Sequence, residues 1–529
     1  SQDKLWYLLA YNPAFTSEEV SLGTLGMFDN EVTTHRLASK LNWRLNDDND
    51  LELSFFADPT NSEGVGGLPT WLGTPTELAN PDPALSEITS GGFNLVLNGK
   101  HWLGDSFLLE SRLSQVTRDN KIVPLTETGA NEVLFMDFDT GIWSGGNPTR
   151  TDNQTRVTGA GVGASWLGQQ HTLKAGLEYR NQVWDIDDRQ FFLGKFDAGG
   201  GNDVYQTLEF STQGTMKCRL LSAYLQDSWR LGESLRINLG VRWDGQSLIG
   251  SDGNVAQSFN DQIQPRLGFT FQPGASGKSQ LFGSAGRFYQ DVALIAPSSL
   301  FVAGSVYRTV VYDHDPRQDP SGGNVTVDFE SEIAPEQDLE GQHFDELTLG
   351  YALMLGPRAK FTLRGVYREL KNGLEDSIVD ETTGHFEWGN PGYGLLTDFP
   401  RMTRIYRALE FTLEHAPTEK YNFLFSYVLS ENKGNYPGLY PADISSDGWP
   451  NMGPAFDVLE QTIDADGQLP NNRTHVLKLL GSYHLTRDFS AGLTASWQSG
   501  TPLNEFGAAQ FDNFYRVFLQ PRGTAGSTP

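Results

Sequence analysis

Leu235-Arg236-Ile237-Asn238-Leu239-Gly240-Val241-Arg242-Trp243 is apolar at every second position. Leu235, Ile237, Leu239, Val241 and Trp243 share one face, while Arg236, Asn238 and Arg242 share the other. A side-chain period of two belongs to a β-strand, here with one greasy and one wet side. A soluble sandwich could carry one or two such strands, but the pattern recurs over most of 529 residues. Each repeat is about ten residues, enough to cross a bilayer at a tilt of roughly 45°. The chain is therefore expected to be all-β, a transmembrane antiparallel β-barrel of the bacterial outer membrane, apolar outside and polar within.

Composition agrees once alternation is allowed for. Only 38% of residues are hydrophobic and mean hydropathy is −0.40, because every second strand residue faces water. No apolar run approaches the roughly 18 residues of a membrane helix. Aromatic content of 12% and 57 glycines suit interfacial girdles and close strand packing. The single cysteine, Cys218, excludes an internal disulfide framework. A net charge of −27 excludes nucleic acid as a partner, since phosphates require a basic surface. Much of the acid falls in one connection, at Asp313, Asp315, Asp319, Glu330, Glu332, Glu336, Asp338 and Glu340. These residues either solvate a loop or bridge it through divalent cations to lipopolysaccharide or a ligand. The chain opens at Ser1 without methionine or signal peptide, which reads as a processed product or a fragment.

Short polar turns alternate with long connections. Asn46-Asp47-Asp48-Asn49-Asp50 is the first turn, and others fall near 103–106, 168–170, 231–234, 272–279, 356–357, 416–420 and 486–488. Glycine, asparagine and aspartate supply the backbone angles of such reversals. Trp43, Trp102, Trp166 and Trp229 each stand just before a turn, where an aromatic belt at a membrane interface would place them. The long connections are 12–32, 58–91, 118–153, 185–218, 249–261, 290–343, 371–404 and 432–472. Outer-membrane barrels keep short turns in the periplasm and long loops outside. Residues 1–529 thus read as one barrel domain, with extracellular loops near 290–343 and 432–472. About seventeen strands can be counted, whereas bacterial single-chain barrels close with an even number. Lys4–Tyr11 and Phe489–Trp497 then run in the same direction. They are expected not to pair with each other, and each would need a further strand.

No enzyme chemistry is legible. There is no Gly-x-Ser-x-Gly elbow, no His-Glu-x-x-His and no P-loop. The nine histidines show no metal-ligand spacing, and no cofactor is implied. Asp464-Ala465-Asp466-Gly467 resembles the start of a calcium loop but lacks its later glutamate, so it reads as a turn. Lys174, Glu178, Arg180, Arg236, Arg242, Lys360, Arg364 and Arg368 alternate with apolar residues and should face the lumen. They either hydrate and pair along the wall or line a solute path. The loop aromatics Trp143, Tyr307, Tyr312, Trp388, Tyr393, Tyr436, Tyr440 and Trp449 either stack on a ligand or pack within their loops.

Several segments suggest a family. Tyr224-Leu225-Gln226-Asp227-Ser228-Trp229, followed by 235–244, resembles the central hairpin of TonB-dependent outer-membrane receptors. Ser426-Tyr427-Val428-Leu429-Ser430 with Gly434-Asn435-Tyr436-Pro437-Gly438 is similar to the Oar-like branch, whose precursors carry a carboxypeptidase-regulatory-like domain. Leu469-Pro470-Asn471-Asn472-Arg473-Thr474-His475, Gly481-Ser482-Tyr483 and Gln498-Ser499-Gly500-Thr501-Pro502 continue that likeness. Lys4-Leu5-Trp6-Tyr7 with Tyr11-Asn12-Pro13 resembles the third strand of the branch. The resemblance implies about 22 strands around a globular plug. Two strands before and three after would complete that number. The plug, its TonB-contacting box and the final strands find no counterpart here, so coupling to the TonB complex would run through a plug outside this chain. The expected partners are outer-membrane lipid, lipopolysaccharide, TonB and other outer-membrane or surface proteins. A transporter barrel is the first functional reading. A structural or adhesive surface barrel within a larger assembly is the alternative.

Overall fold

Alternation along the chain builds one continuous antiparallel meander. The computed structural model describes residues 4–528 except 69–74, 198, 200–201, 275–276, 295–297, 335–336, 381–384, 417, 419, 439–455 and 511–514. Its long strands are β1 (Leu5–Ser21), β2 (Met27–Asn46), β3 (Asn49–Ala57), β4 (Leu85–Leu103), β5 (Phe107–Pro124) and β6 (Thr149–Leu167). They continue as β7 (His171–Asp197), β8 (Asp203–Leu231), β9 (Leu235–Ile249), β10 (Val255–Phe271), β11 (Ser279–Tyr289) and β12 (His343–Met354). The last are β13 (Ala359–Lys371), β14 (Arg404–His415), β15 (Tyr421–Gly434), β16 (His475–His484) and β17 (Ser490–Gln498). Each pairs antiparallel with the next along the chain. Among the described residues β1 and β17 share no ladder.

Register fixes the faces. Leu225, Val241 and Pro265 occupy one cross-strand row, with Asp227, Leu239 and Leu267 in the next row on the same side. Leu239 and Val241 are 45% and 44% exposed, as side chains meant for lipid are. The intervening row carries Gln226, Gly240 and Arg266 inward. A one-residue slip would exchange the faces.

The strands outrun the membrane at one end only. Short turns such as 47–48, 104–106 and 232–234 close one end, whereas β7 and β8 extend for 27 and 29 residues. At about 3.3 Å per residue these strands are roughly 90 Å long. Three expected long connections are therefore corrected. Residues 12–32 and 185–218 are mostly hairpin, the first turning at 22–26 and the second formed by β7 to Asp197 and β8 from Asp203, and 249–261 is largely strand with a turn at 250–254. Backbone pairing continues there although outward apolar residues become sparse, because water tolerates a polar outer face.

On those extensions the polarity of the two faces inverts. Outward positions on β7 become Asn181, Asp185 and Asp187, while inward positions become Trp184 and Ile186. Inward Met216, Cys218 and Leu248 then form a buried core with Ala256, Phe259, Leu294, Phe301, Val302, Leu374 and Trp388. The connections 290–342 and 372–403 thus pack into the barrel mouth. A second core joins Leu78, Ala84, Leu134, Met136, Trp143 and Phe192, and a third joins Leu370, Leu396, Phe399, Met402, Tyr436 and Phe456. After β17 the chain folds back, and buried Arg522 donates from Nε to the Ala465 carbonyl at 2.7 Å.

Candidate functional site

Beneath the packed mouth lies a lumen cavity of about 970 Å³, lined from β1 round to β11. Its wall carries cations and acids in close succession. Arg242 donates from Nη2 to Glu178 at 3.0 Å and from Nε to Asp244 at 2.8 Å. Gln264 also donates to Asp244, and Arg266 donates to Gln264 at 3.1 Å while lying 4.8 Å above the Phe288 ring. Lys174 meets Glu110 at 3.2 Å, and Lys40 meets Glu52 at 2.7 Å. Arg180 pairs with Asp291, just beyond β11. The wall thus offers exchangeable charge, with no nucleophile–base pair in its network.

The expected lumen residues divide into groups. Arg180 and Arg242 border the cavity, and Lys174 joins it through Glu110. Arg364 and Arg368 stand on β13, away from the cavity lining, with Arg364 on Glu410 at 2.5 Å. Arg368 reaches Glu346 at 4.0 Å and lies 4.2 Å above Phe344. Lys360 meets Glu414 at 3.0 Å. Arg236 is exposed on the same inward row, beside the turn after β8. Sequence reasoning missed the acids Glu110, Asp244 and Asp291. Glu110 and Asp244 were findable from strand parity, whereas Asp291 arrives from a connection.

The girdle is corrected at one position. Trp43 and Trp166 are 47% and 44% exposed on the outward face, and outward Trp229 stacks with His171 at 5.3 Å. Trp102 instead shares the inward row of Asn98 and Lys100, so His101 and Leu103 occupy the outward positions. The tryptophan stands near the right turn but is one residue out of phase.

Three candidate ligand aromatics are covered by the protein itself. Trp143, Trp388 and Tyr436 are only 3%, 5% and 3% exposed. Trp388 lies edge-on to Phe301 and Phe259, at 5.6 and 6.3 Å. Burial therefore assigns these rings to loop packing rather than ligand stacking. Tyr312 is partly exposed beside His314, at 6.1 Å, and Tyr307 and Tyr393 are exposed. Trp449 and Tyr440 lie outside the described residues. In the same loops, oxygens of Glu375, Asp376 and Asp457 converge within 4.8 Å. Burial, then Asp376, holds the Asp457 carboxyl well above the usual aspartate range.

Comparison with known proteins follows the geometry. The family described as "TonB dependent receptor-like, beta-barrel" matches residues 28–517. The chain is 24% identical to the TonB-dependent transporter Oar of Myxococcus xanthus, over 100% of this chain and 62% of that protein. It is also similar to the outer membrane transporter YddB from Escherichia coli, with a TM-score of 0.64 and 14% identity, covering 98% of this chain and 65% of that one. A third likeness is to P. aeruginosa FpvA bound to heterologous pyoverdines, with a TM-score of 0.55 and 11% identity, covering 96% and 62%. The chain spans less than two thirds of each of these three proteins. They are transporters or receptors, not enzymes.

Proposed function

This chain belongs to the TonB-dependent receptor β-barrel family of the outer membrane, and from that premise we propose that it forms the wall of a transporter moving a solute across that membrane. The observation carrying the proposal is the lumen network from Lys40 to Arg266, roofed by the apolar core around Phe259 and Trp388. Ion pairs in a wet lumen are individually weak, so they can be exchanged as a solute or a plug domain moves past. The packed mouth separates that lumen from the long-loop side. We assign the long loops to the cell exterior and the short turns to the periplasm, with 1–529 as one barrel unit. Lys174, Arg180 and Arg242 then act as wall cations beside the cavity. Tyr312 remains a ligand-facing aromatic. Energy would enter from TonB through a plug domain.

The test compares cells carrying the full-length gene with a deletion strain, each offered a mixture of isotope-labelled solutes with and without a protonophore. Accumulation of at least one solute should require both the gene and the proton-motive force. Identical uptake profiles would overturn the transporter reading.

A further inference from the structure

We propose that outward-facing Lys217 and Arg219 bind the phosphate of an anionic glycolipid in the outer leaflet. The inference rests on the orientation proposed above and concerns the outer wall rather than the transport path. Arg219 stands ten residues from Trp229 along β8, and Arg156 stands ten residues from Trp166 along β6. On tilted strands that spacing corresponds to about 25 Å, the height of a barrel's apolar band. Both cations therefore sit where lipid headgroups begin. Register gives both outward parity: exposed Arg219 stands opposite Asn181 and Ser247, and half-buried Lys217 stands opposite Val183 and the buried Ile249. Two residues below Arg219, Leu221 is exposed toward lipid.

Other charges at this level are already matched. Arg156 binds Asp185 at 2.6 Å, Arg287 binds Asp345 at 2.8 Å and Lys371 binds Glu369 at 2.5 Å. Arg407 reaches Glu431 at 3.9 Å, and Lys433 reaches Asp466 at 3.7 Å. Among the described residues, Lys217 and Arg219 have no acidic partner within 4.0 Å. The nearby Asp185 is engaged by Arg156 and by the Thr215 hydroxyl, the latter at 2.6 Å. Asn181, Thr158 and Ser247 surround the two cations with neutral polar groups. In a chain of net charge −27, two unmatched cations at headgroup height suit a phosphate, which accepts charge-assisted bonds from both.

The experiment is native mass spectrometry of the full-length protein in detergent, titrated with a bis-phosphorylated acylated glucosamine disaccharide. The wild type should retain this lipid roughly tenfold more tightly than the Lys217→Ser/Arg219→Ser variant, as expected for loss of charge-assisted bonds. Arg407→Ser, at the same level but on a matched cation, should bind as the wild type does. In the wild type alone, the bis-phosphorylated lipid should be retained roughly tenfold more tightly than its dephosphorylated counterpart. That comparison stands even if the variant folds poorly. Equal retention of both lipids, or of the bis-phosphorylated lipid by wild type and double variant, would overturn the site. Full displacement by millimolar inorganic phosphate, or equal retention of phosphatidylglycerol, would overturn its assignment to the glycolipid. A reversed barrel orientation would appear separately, in surface labelling of intact cells.

Discussion

Arg180, facing the lumen from β7, pairs with Asp291, 111 residues further along the chain. This contact ties the barrel wall to the start of the connection 290–342. The side chains are 42% and 51% exposed, so the pair should contribute under about 1 kcal/mol to global stability. Asp291→Asn is expected to leave the unfolding midpoint nearly unchanged while speeding limited proteolysis within 290–342. A large drop in midpoint with unchanged proteolysis would contradict the tether.

Leu239 and Asn238 are adjacent but face opposite solvents. Leu239→Arg places a charge beside Asp227 and Leu267 on the lipid side, one outward pair from the Trp229 level, and should destabilise the barrel by about 1–2 kcal/mol, between the interfacial and midplane costs of a charge. Asn238→Arg points into the wet lumen and should cost much less. Reversible unfolding in detergent or lipid measures both, and equal losses would refute the face assignment.

Tyr224 lies flat across Gly176 inside the lumen. A Cβ at residue 176 would meet its hydroxyl oxygen at 2.5 Å and its ring carbons at 2.6 Å. Gly176→Val should therefore push the ring into the cavity, at about 1–3 kcal/mol if the strand must also shift. Gly161→Ala, whose Cβ would find Glu178 at 3.6 Å, should be tolerated. Similar losses for the two variants would show that the ring is not held by the missing side chain.

The membrane-spanning part of this fold was legible because lipid on one side and water on the other impose a strict period of two. Leu235 through Trp243 carries that pattern without interruption. Beyond the band the rule changes: Asp185, Asp187 and Arg189 face water while Ile186 and Met216 face an internal core. Alternation persists there with inverted sign, and its polar outer positions make it read as loop. Trp102 failed for a different reason, since proximity to a turn does not fix which face a residue takes. Lumen cations followed from parity alone. The partner Asp291, and the burial of Trp388 and Tyr436, depend on how long connections fold back, which local periodicity does not encode.

His314, in the connection 290–342, donates from both ring nitrogens when protonated, from Nδ1 to the Asp313 carboxylate at 2.7 Å and from Nε2 to the Asp319 carbonyl at 3.0 Å. Bonding to Asp313 first, then to Asp319, raises its pKa above the ordinary 6.5. A raised folded value means the imidazolium's contribution is fully present below 6.5 and is lost as pH rises through the raised value. Segment 313–319 should thus be better protected from protease at acidic pH than at alkaline pH, and His314→Gln should flatten that dependence. Protection that increases with pH would reverse the sign and exclude this contact as its source.

Orientation gives the last prediction. Asp319 lies in the connection 290–342 at the long-loop end, and Asp48 lies in the turn between β2 and β3 at the other. Only one end can face the medium in an intact cell. Asp319→Cys should react with a membrane-impermeant maleimide added outside, while Asp48→Cys should react only after the outer membrane is opened. The buried native thiol, Cys218, should stay silent in both variants, because burial first of all pushes the thiol up and suppresses thiolate. Labelling of Asp48→Cys but not Asp319→Cys in whole cells would invert the barrel. The charged loops and the cations Lys217 and Arg219 on β8 would then belong to the periplasmic side.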